Sequence, residues 1–177
     1  MRTYTTLVLI ICFSLAESLA TNFPELDKSP ADIALYKKGG DALIKVVYGR
    51  PQKKGREVFG KLVKYGKVWR TGANECTEIR FYKDVRINGK DVKAGVYSIY
   101  TIPNENEWTF ILSSDTDKWG AFFYKEANDI LRAPMSLSSP KKEIEAFSID
   151  FDKNKDGVAL AMAWDNVVAS ITIEILE

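Results

Sequence analysis

From residue 42 onward the chain alternates short apolar runs with turn-forming residues, and no apolar period of 3.6 residues persists beyond two turns. Residues 42–48 are β-branched or apolar and predict a first strand, ended by Gly49-Arg50-Pro51. Thr77, Ile79 and Phe81 alternate with Glu78, Arg80 and Tyr82, the period of a half-buried strand. Asn88-Gly89 sits between Val85-Arg86-Ile87 and Asp91-Val92, a strong hairpin signal because Asn-Gly accepts the positive backbone angles of a two-residue turn. Residues 96–102 and 108–112, joined by Pro103-Asn104-Glu105-Asn106, extend a meander. Residues 119–124 predict another strand with a bulge at Gly120. Residues 130–137 predict an edge strand, since Pro134 has no N–H to give to a ladder. Residues 144–151, 158–164 and 167–176 complete nine or ten short strands. The pattern predicts an all-β antiparallel sandwich or flattened barrel.

The first forty residues follow other rules. Residues 1–20 carry a positive start at Arg2, an apolar run over 7–15 and the small residues Ser18-Leu19-Ala20, which together read as a cleavable export signal. The run is well short of the roughly 20 residues that cross a bilayer as a helix, and no later stretch is longer. Cys12 follows Leu9, Ile10 and Ile11 without the small residue a lipid-modified cysteine wants before it. Residues 21–40 form an N-terminal extension broken by Pro24 and Pro30, in which Ser29-Pro30-Ala31-Asp32 predicts the cap and first turn of a short helix reaching Tyr36. Residues 41–177 are then one all-β domain, large enough to stand on its own core.

Charge changes this picture locally. The 25 Lys and Arg nearly balance 24 Asp and Glu, for a net charge of +1. Yet residues 50–70 hold Arg50, Lys53, Lys54, Arg56, Lys61, Lys64, Lys67 and Arg70 against Glu57 alone, interrupted by Val58, Phe59, Leu62, Val63, Val68 and Trp69. One or two short strands with charged loops are expected there. Residues 143–177 are as strongly acidic, with Lys153 and Lys155 as their only bases. The absence of histidine excludes imidazole-based triads and His-ligated metal centres. Cys76 is the one cysteine left after the signal, so no internal disulfide forms, and without a histidine beside it the thiol is expected to be a half-buried, inert one.

The stretch Tyr65-Gly66-Lys67-Val68-Trp69-Arg70-Thr71-Gly72-Ala73-Asn74-Glu75 concentrates polar groups on a sharply turning backbone. Arg50, Trp69, Arg70, Asn74 and Glu75 are the candidate ligand-binding patch. The arginines would pair an anion, Trp69 would offer a stacking face, and Asn74 and Glu75 would fix orientation, with a fork between Arg70 and Glu75 holding the turn. Asp152, Asn154 and Asp156, followed by Gly157, match the first half of a calcium loop, but Ala163 stands where the closing Glu belongs, so a plain hairpin turn is the preferred reading. No cofactor motif is present. Export argues against nucleic acid as the partner of the basic run and favours an anionic glycan or another envelope component. A binding module, a carboxylate-based hydrolase using Glu75 and a second acid, and a structural or assembly protein remain the three functional classes.

Tyr48-Gly49-Arg50-Pro51, Lys67-Val68-Trp69-Arg70-Thr71-Gly72-Ala73-Asn74-Glu75, Ala94-Gly95-Val96-Tyr97-Ser98, Thr101-Ile102-Pro103, Glu107-Trp108-Thr109, Trp119-Gly120-Ala121-Phe122 and the late Trp164-Asp165 resemble the secreted bacterial family catalogued as domain of unknown function 2911. The resemblance runs from about Leu26 to the last strand. It implies export in Gram-negative bacteria and no particular activity.

The exported product is expected to begin at Thr21 and to carry no lipid. Its intact mass checks this: a retained Cys12 or an acylated species contradicts it.

Overall fold

The computed structural model describes residues 23–154 and 157–176. Residues 1–20, read above as an export signal, and two residues of the calcium-like hairpin, Lys155 and Asp156, lie outside them. Eleven strands form one continuous antiparallel sheet: β1 (Ala31–Lys38), β2 (Asp41–Gly49), β3 (Thr77–Phe81), β4 (Val85–Ile87), β5 (Lys90–Val92), β6 (Gly95–Ile102), β7 (Trp108–Ser113), β8 (Asp129–Ser138), β9 (Ile144–Asn154), β10 (Gly157–Asp165) and β11 (Val167–Ile175). Their order is β1-β2-β3-β6-β7-β8-β11-β10-β9, with the β4-β5 hairpin attached to β11. The sheet curls until its ends nearly meet. Residues just beyond β2 pair with the start of β9, through Gln52 opposite Ala146 and through Lys53 N to Glu145 O and Phe147 N to Pro51 O at 2.8 and 2.9 Å. The backbone N–H of Ile149 donates to the Tyr48 hydroxyl at 3.1 Å across the same seam. The result is a nearly closed, flattened barrel whose free edges are largely covered.

Four expectations need correction. Residues 31–36 are not helical: they lie in β1, paired with β2 along its whole length. A two-turn helix is marginal by itself, whereas this ladder satisfies the backbone and buries Ala34. Ser29 N is instead held by Asp27 Oδ1 at 2.6 Å. Second, β8 is interior, between β7 and β11. Its Pro134 is tolerated because β11 pairs only with Ser136, Leu137 and Ser138. Third, residues 119–124 form a turn, not a strand. Fourth, residues 50–70 contain no strand, only isolated bridges such as Phe59 with Val63 and Trp69 with Thr101. The Asn88-Gly89 turn forms as expected: Ile87 pairs with Lys90, and φ is 49° and 76° at the two central residues.

The strandless 50–70 segment is held by what it inserts. Val58, Phe59 and Val63 are buried, and Trp69 joins Phe59, Trp108, Phe147 and Trp164 in an aromatic cluster inside the barrel. The Trp69 ring lies 5.2 Å from Phe147 edge-to-face and 6.0 Å from Trp164 in a stacked arrangement, the two geometries ring quadrupoles prefer. Its Nε1 donates to Gly72 O at 3.2 Å. The basic segment also meets the acidic end directly. Lys53 Nζ lies 2.6 Å from Asp165 and 2.8 Å from Glu143, and Lys54 N donates to Glu145 at 2.7 Å.

Trp69→Ala should cost about 3 kcal/mol or more, as large aromatic truncations in cores do, and Trp69→Phe clearly less. Chemical denaturation of the two variants measures this; a Trp69→Ala protein as stable as the parent would show that the indole is not the anchor of the 50–70 segment.

Candidate functional site

Two loops meet outside the barrel. The first, residues 70–76, turns sharply between the barrel interior and β3. Thr71 and Asn74 adopt positive φ of 56° and 62°, a region that a β-branched residue such as Thr enters only when its surroundings force it. Here they do: Thr71 is buried, its hydroxyl lies 3.1 Å from that of Thr101, and its carbonyl accepts from Thr77 Oγ1 at 2.6 Å. Backbone contact leaves no room for a side chain on the neighbouring strand, since a Cβ at Gly49 would fall 2.2 Å from Ala73 O. The loop is therefore pressed against the end of β2.

The second loop, residues 114–125, covers the outer face of β6 and β7. Cys76, Tyr100 and Ile111 form a small separate core there, with Ala121 and Tyr124 packed on it. Cys76 N donates to Lys118 O at 2.8 Å and Gly120 N to Asn74 O at 3.1 Å, so the two loops are zipped together, with Glu75 bridged to Trp119. Gly120 is required at this point: φ is 70°, and a Cβ would lie 3.1 Å from the Phe122 ring. With the buried side of the loop used for anchoring, its large aromatic residues point outward. Trp119, Phe122 and Phe123 are 56, 77 and 65% exposed. The Trp119 and Phe122 rings are nearly parallel, 6° apart in orientation with centroids 5.8 Å apart.

On one side of this loop lies a cavity of about 270 Å³ whose polar lining includes Asn74, Glu75, Glu78, Asp117 and Lys118. On the other lies a more open recess of about 360 Å³, lined among others by Asp117, Lys118, Trp119, Phe123 and Lys125. Asp117 N donates to Glu78 Oε1 at 2.8 Å, and Lys118 pairs with Asp115 at 3.1 Å. The two hollows share Asp117 and Lys118 in their linings, so they adjoin along the 114–125 loop as a divided furrow. Such a surface offers hydroxyl acceptors on one side and aromatic faces in the middle.

The five residues singled out in the sequence separate into two groups. Arg70, Asn74 and Glu75 come together at the loop pair. Arg50 is committed elsewhere, to Asp32 at 2.9 Å, Phe147 O at 3.0 Å and Ser148 Oγ at 2.8 Å, and braces the barrel seam. Trp69 is part of the interior cluster. The expected fork between Arg70 and Glu75 does not form. The bridge to Trp119 turns Glu75 outward to the cavity rim, while the Arg70 guanidinium lies 5.9 Å from the centre of the Trp119 ring. Asn74 donates to Asp27 Oδ1 at 3.0 Å and so ties the N-terminal segment to the loop. Glu78, Asp117, Trp119 and Phe122 were not singled out in advance. The signal available was three large aromatics in five residues around Gly120, where adjacent Phe122 and Phe123 break the alternation a strand needs. Asp152 and Asn154 lie in β9, and Asn154 pairs with Gly157 across a β-hairpin.

Cys76 is more buried than expected. Desolvation pushes its thiol up to about 11. At pH 8 the folded protein should resist iodoacetamide and react only once unfolded. The folded thiol keeps its proton to about pH 11 while the unfolded one releases it near 9.0, so this group's contribution to stability is present below pH 9.0 and is lost as pH rises toward 11. Mass-spectrometric labelling and alkaline denaturation check both, and fast labelling of the native state contradicts them.

No curated protein and no solved structure matches the chain. One family model does, over residues 29–173, which takes in every strand except the last residues of β11 and both loops of the site. The chain belongs to the family described as protein of unknown function DUF2911.

Proposed function

We propose that this is an exported module that binds an extended, sugar-like ligand of the cell envelope along the furrow between the 70–76 and 114–125 loops. The observation that carries the reading is the parallel Trp119–Phe122 pair, more than half exposed on a loop fixed by backbone hydrogen bonds to a rigid barrel. A soluble protein gains nothing from displaying three large aromatics together unless a partner covers them. Sugar rings present flat C–H faces that suit such a platform, and their hydroxyls suit the acceptors supplied by Asn74, Glu75, Glu78 and Asp117. Two recesses on either side of the loop favour a chain of several sugar units over a single one. Arg70, Asn74 and Glu75 keep the roles the sequence suggests, and Trp119 and Phe122 take over the stacking role first given to Trp69.

The cavity also gathers three carboxylates, Glu75, Glu78 and Asp117, and this favours a second reading as a carboxylate-based hydrolase acting on the same ligand. Calorimetric titration with neutral, amino and acidic oligosaccharides tests the first reading. Trp119→Ala and Phe122→Ala should each weaken binding by at least tenfold while changing stability by about 0.5 kcal/mol or less, as surface substitutions do. No heat with any saccharide would favour a structural or assembly role. Release of new reducing ends, abolished in Glu75→Gln or Asp117→Asn, would make the module a hydrolase.

A further inference from the structure

Arg70 is a cation without a counter-charge. Three arginines of the described residues are half-buried: Arg50, Arg70 and Arg86. Arg50 pairs with Asp32, and Arg86 with Asp91 and Glu174. Arg70 has no carboxylate within pairing distance and no hydrogen bond from its guanidinium to any described residue, and its Nε is buried without a partner. Removal from water without compensation lowers its pKa from the usual value. Buried polar atoms without partners are rare in folded proteins, and each needs a physical reason. The other two such atoms here, Ser98 Oγ and Asp129 Oδ1, belong to a neutral hydroxyl and to a carboxylate already paired with Arg132 at 2.6 Å. Arg70 alone is charged and unmatched.

Its position connects this to the furrow. The guanidinium lies over Trp119, and its Nη1 is 3.8 Å from where a Cβ on Gly120 would stand, beside the Phe122 ring. Two parallel aromatic rings with an unpaired arginine over one of them suit a ring that carries its own carboxylate: the ring stacks on the exposed aromatic surface, and the carboxylate takes the fork. The adjoining cavity has the opposite character. Glu75, Glu78 and Asp117 line it, and its one lysine, Lys118, is already paired with Asp115. A second carboxylate there would meet like charge, whereas hydroxyls or an amide would be accepted.

We infer that the ligand is an alternating saccharide, in which a carboxylate-bearing sugar seats on Arg70 over the Trp119–Phe122 pair and the next unit, without negative charge, lies over the Glu75–Glu78–Asp117 cavity. This rests on the saccharide reading above and names its chemical class. Three hexasaccharide probes separate the possibilities: hyaluronan, in which uronate alternates with an N-acetylated sugar; oligogalacturonate, acidic at every unit; and chitohexaose, neutral throughout. Hyaluronan should bind tightest, by at least tenfold over either of the others. Arg70→Gln should remove that advantage, weakening hyaluronan at least tenfold more than chitohexaose, and Arg70→Lys should fall between. Since the guanidinium makes no internal hydrogen bond or ion pair and meets only the Trp119 face, circular dichroism of Arg70→Gln should match the parent. For the unaltered protein, added salt should weaken hyaluronan binding and leave chitohexaose binding flat, which tests the charge pairing without any variant. Equal binding of hyaluronan and chitohexaose, or hyaluronan affinity indifferent to both salt and Arg70→Gln, overturns the role of Arg70 while the saccharide reading stands. Oligogalacturonate binding as tightly as hyaluronan overturns the alternation. No binding of any probe overturns both readings together.

Discussion

The indole of Trp69 is the contact on which the rest of this molecule hangs. The connection from β2 to β3 runs for 27 residues, from Arg50 to Cys76, without a strand, a length at which an irregular segment needs strong side-chain anchors to hold one conformation. Trp69 supplies the largest of them, wedged among Phe59, Trp108, Phe147 and Trp164. Through its hydrogen bond to Gly72 O it also fixes where the 70–76 loop begins. The strained backbone at Thr71 and Asn74 is affordable because this anchor and the buried threonine contacts overdetermine it.

Charge asymmetry along the chain is resolved internally in part. The basic early segment and the acidic C-terminal third are brought to one seam, where Lys53 reaches Asp165 and Glu143 and Arg50 binds Phe147 O and Ser148. Lys53 and Asp165 have side chains only 13 and 12% exposed, so this pair is far less screened than a surface one. Its partners raise the lysine's pKa, the Asp165 hydrogen bond first and then that of Glu143, which keeps the ammonium charged. A segment that resembles a polyanion-binding surface when read linearly is, in large part, one half of the barrel's closure.

The outer loop pair follows a different logic. Its anchoring side is apolar and dry, built on Cys76, Tyr100, Ile111 and Tyr124, and its display side is aromatic and wet. Tyr124 illustrates the division: its ring packs 4.9 Å from Tyr100, while its hydroxyl binds Asp129 at 2.7 Å and also meets Arg132, and burial together with the Asp129 bond pushes the phenol up to about 12. A loop held this firmly presents Trp119 and Phe122 at little conformational cost on binding, which is how a preorganised surface gains affinity.

The sequence by itself determined the strands that alternate or are bounded by strong turns: β2, β3, β6, β7, β9, β10, β11 and the Asn88-Gly89 hairpin, because period and turn chemistry are local properties. It also pointed to Arg70, Asn74 and Glu75, which the structure brings together at the loop pair, since two glycines and clustered polar groups mark a displayed turn. Only the tertiary structure decided that residues 31–38 pair as β1 instead of coiling, because a marginal helix yields to a long ladder with β2 across the Gly39-Gly40 turn. Only it decided that Trp69 faces inward while Trp119 faces outward. Trp69 lies between Gly66 and Gly72 and Trp119 precedes Gly120, and their burial depends on which distant residues the curled sheet brings against them, a non-local fact that no local pattern carries.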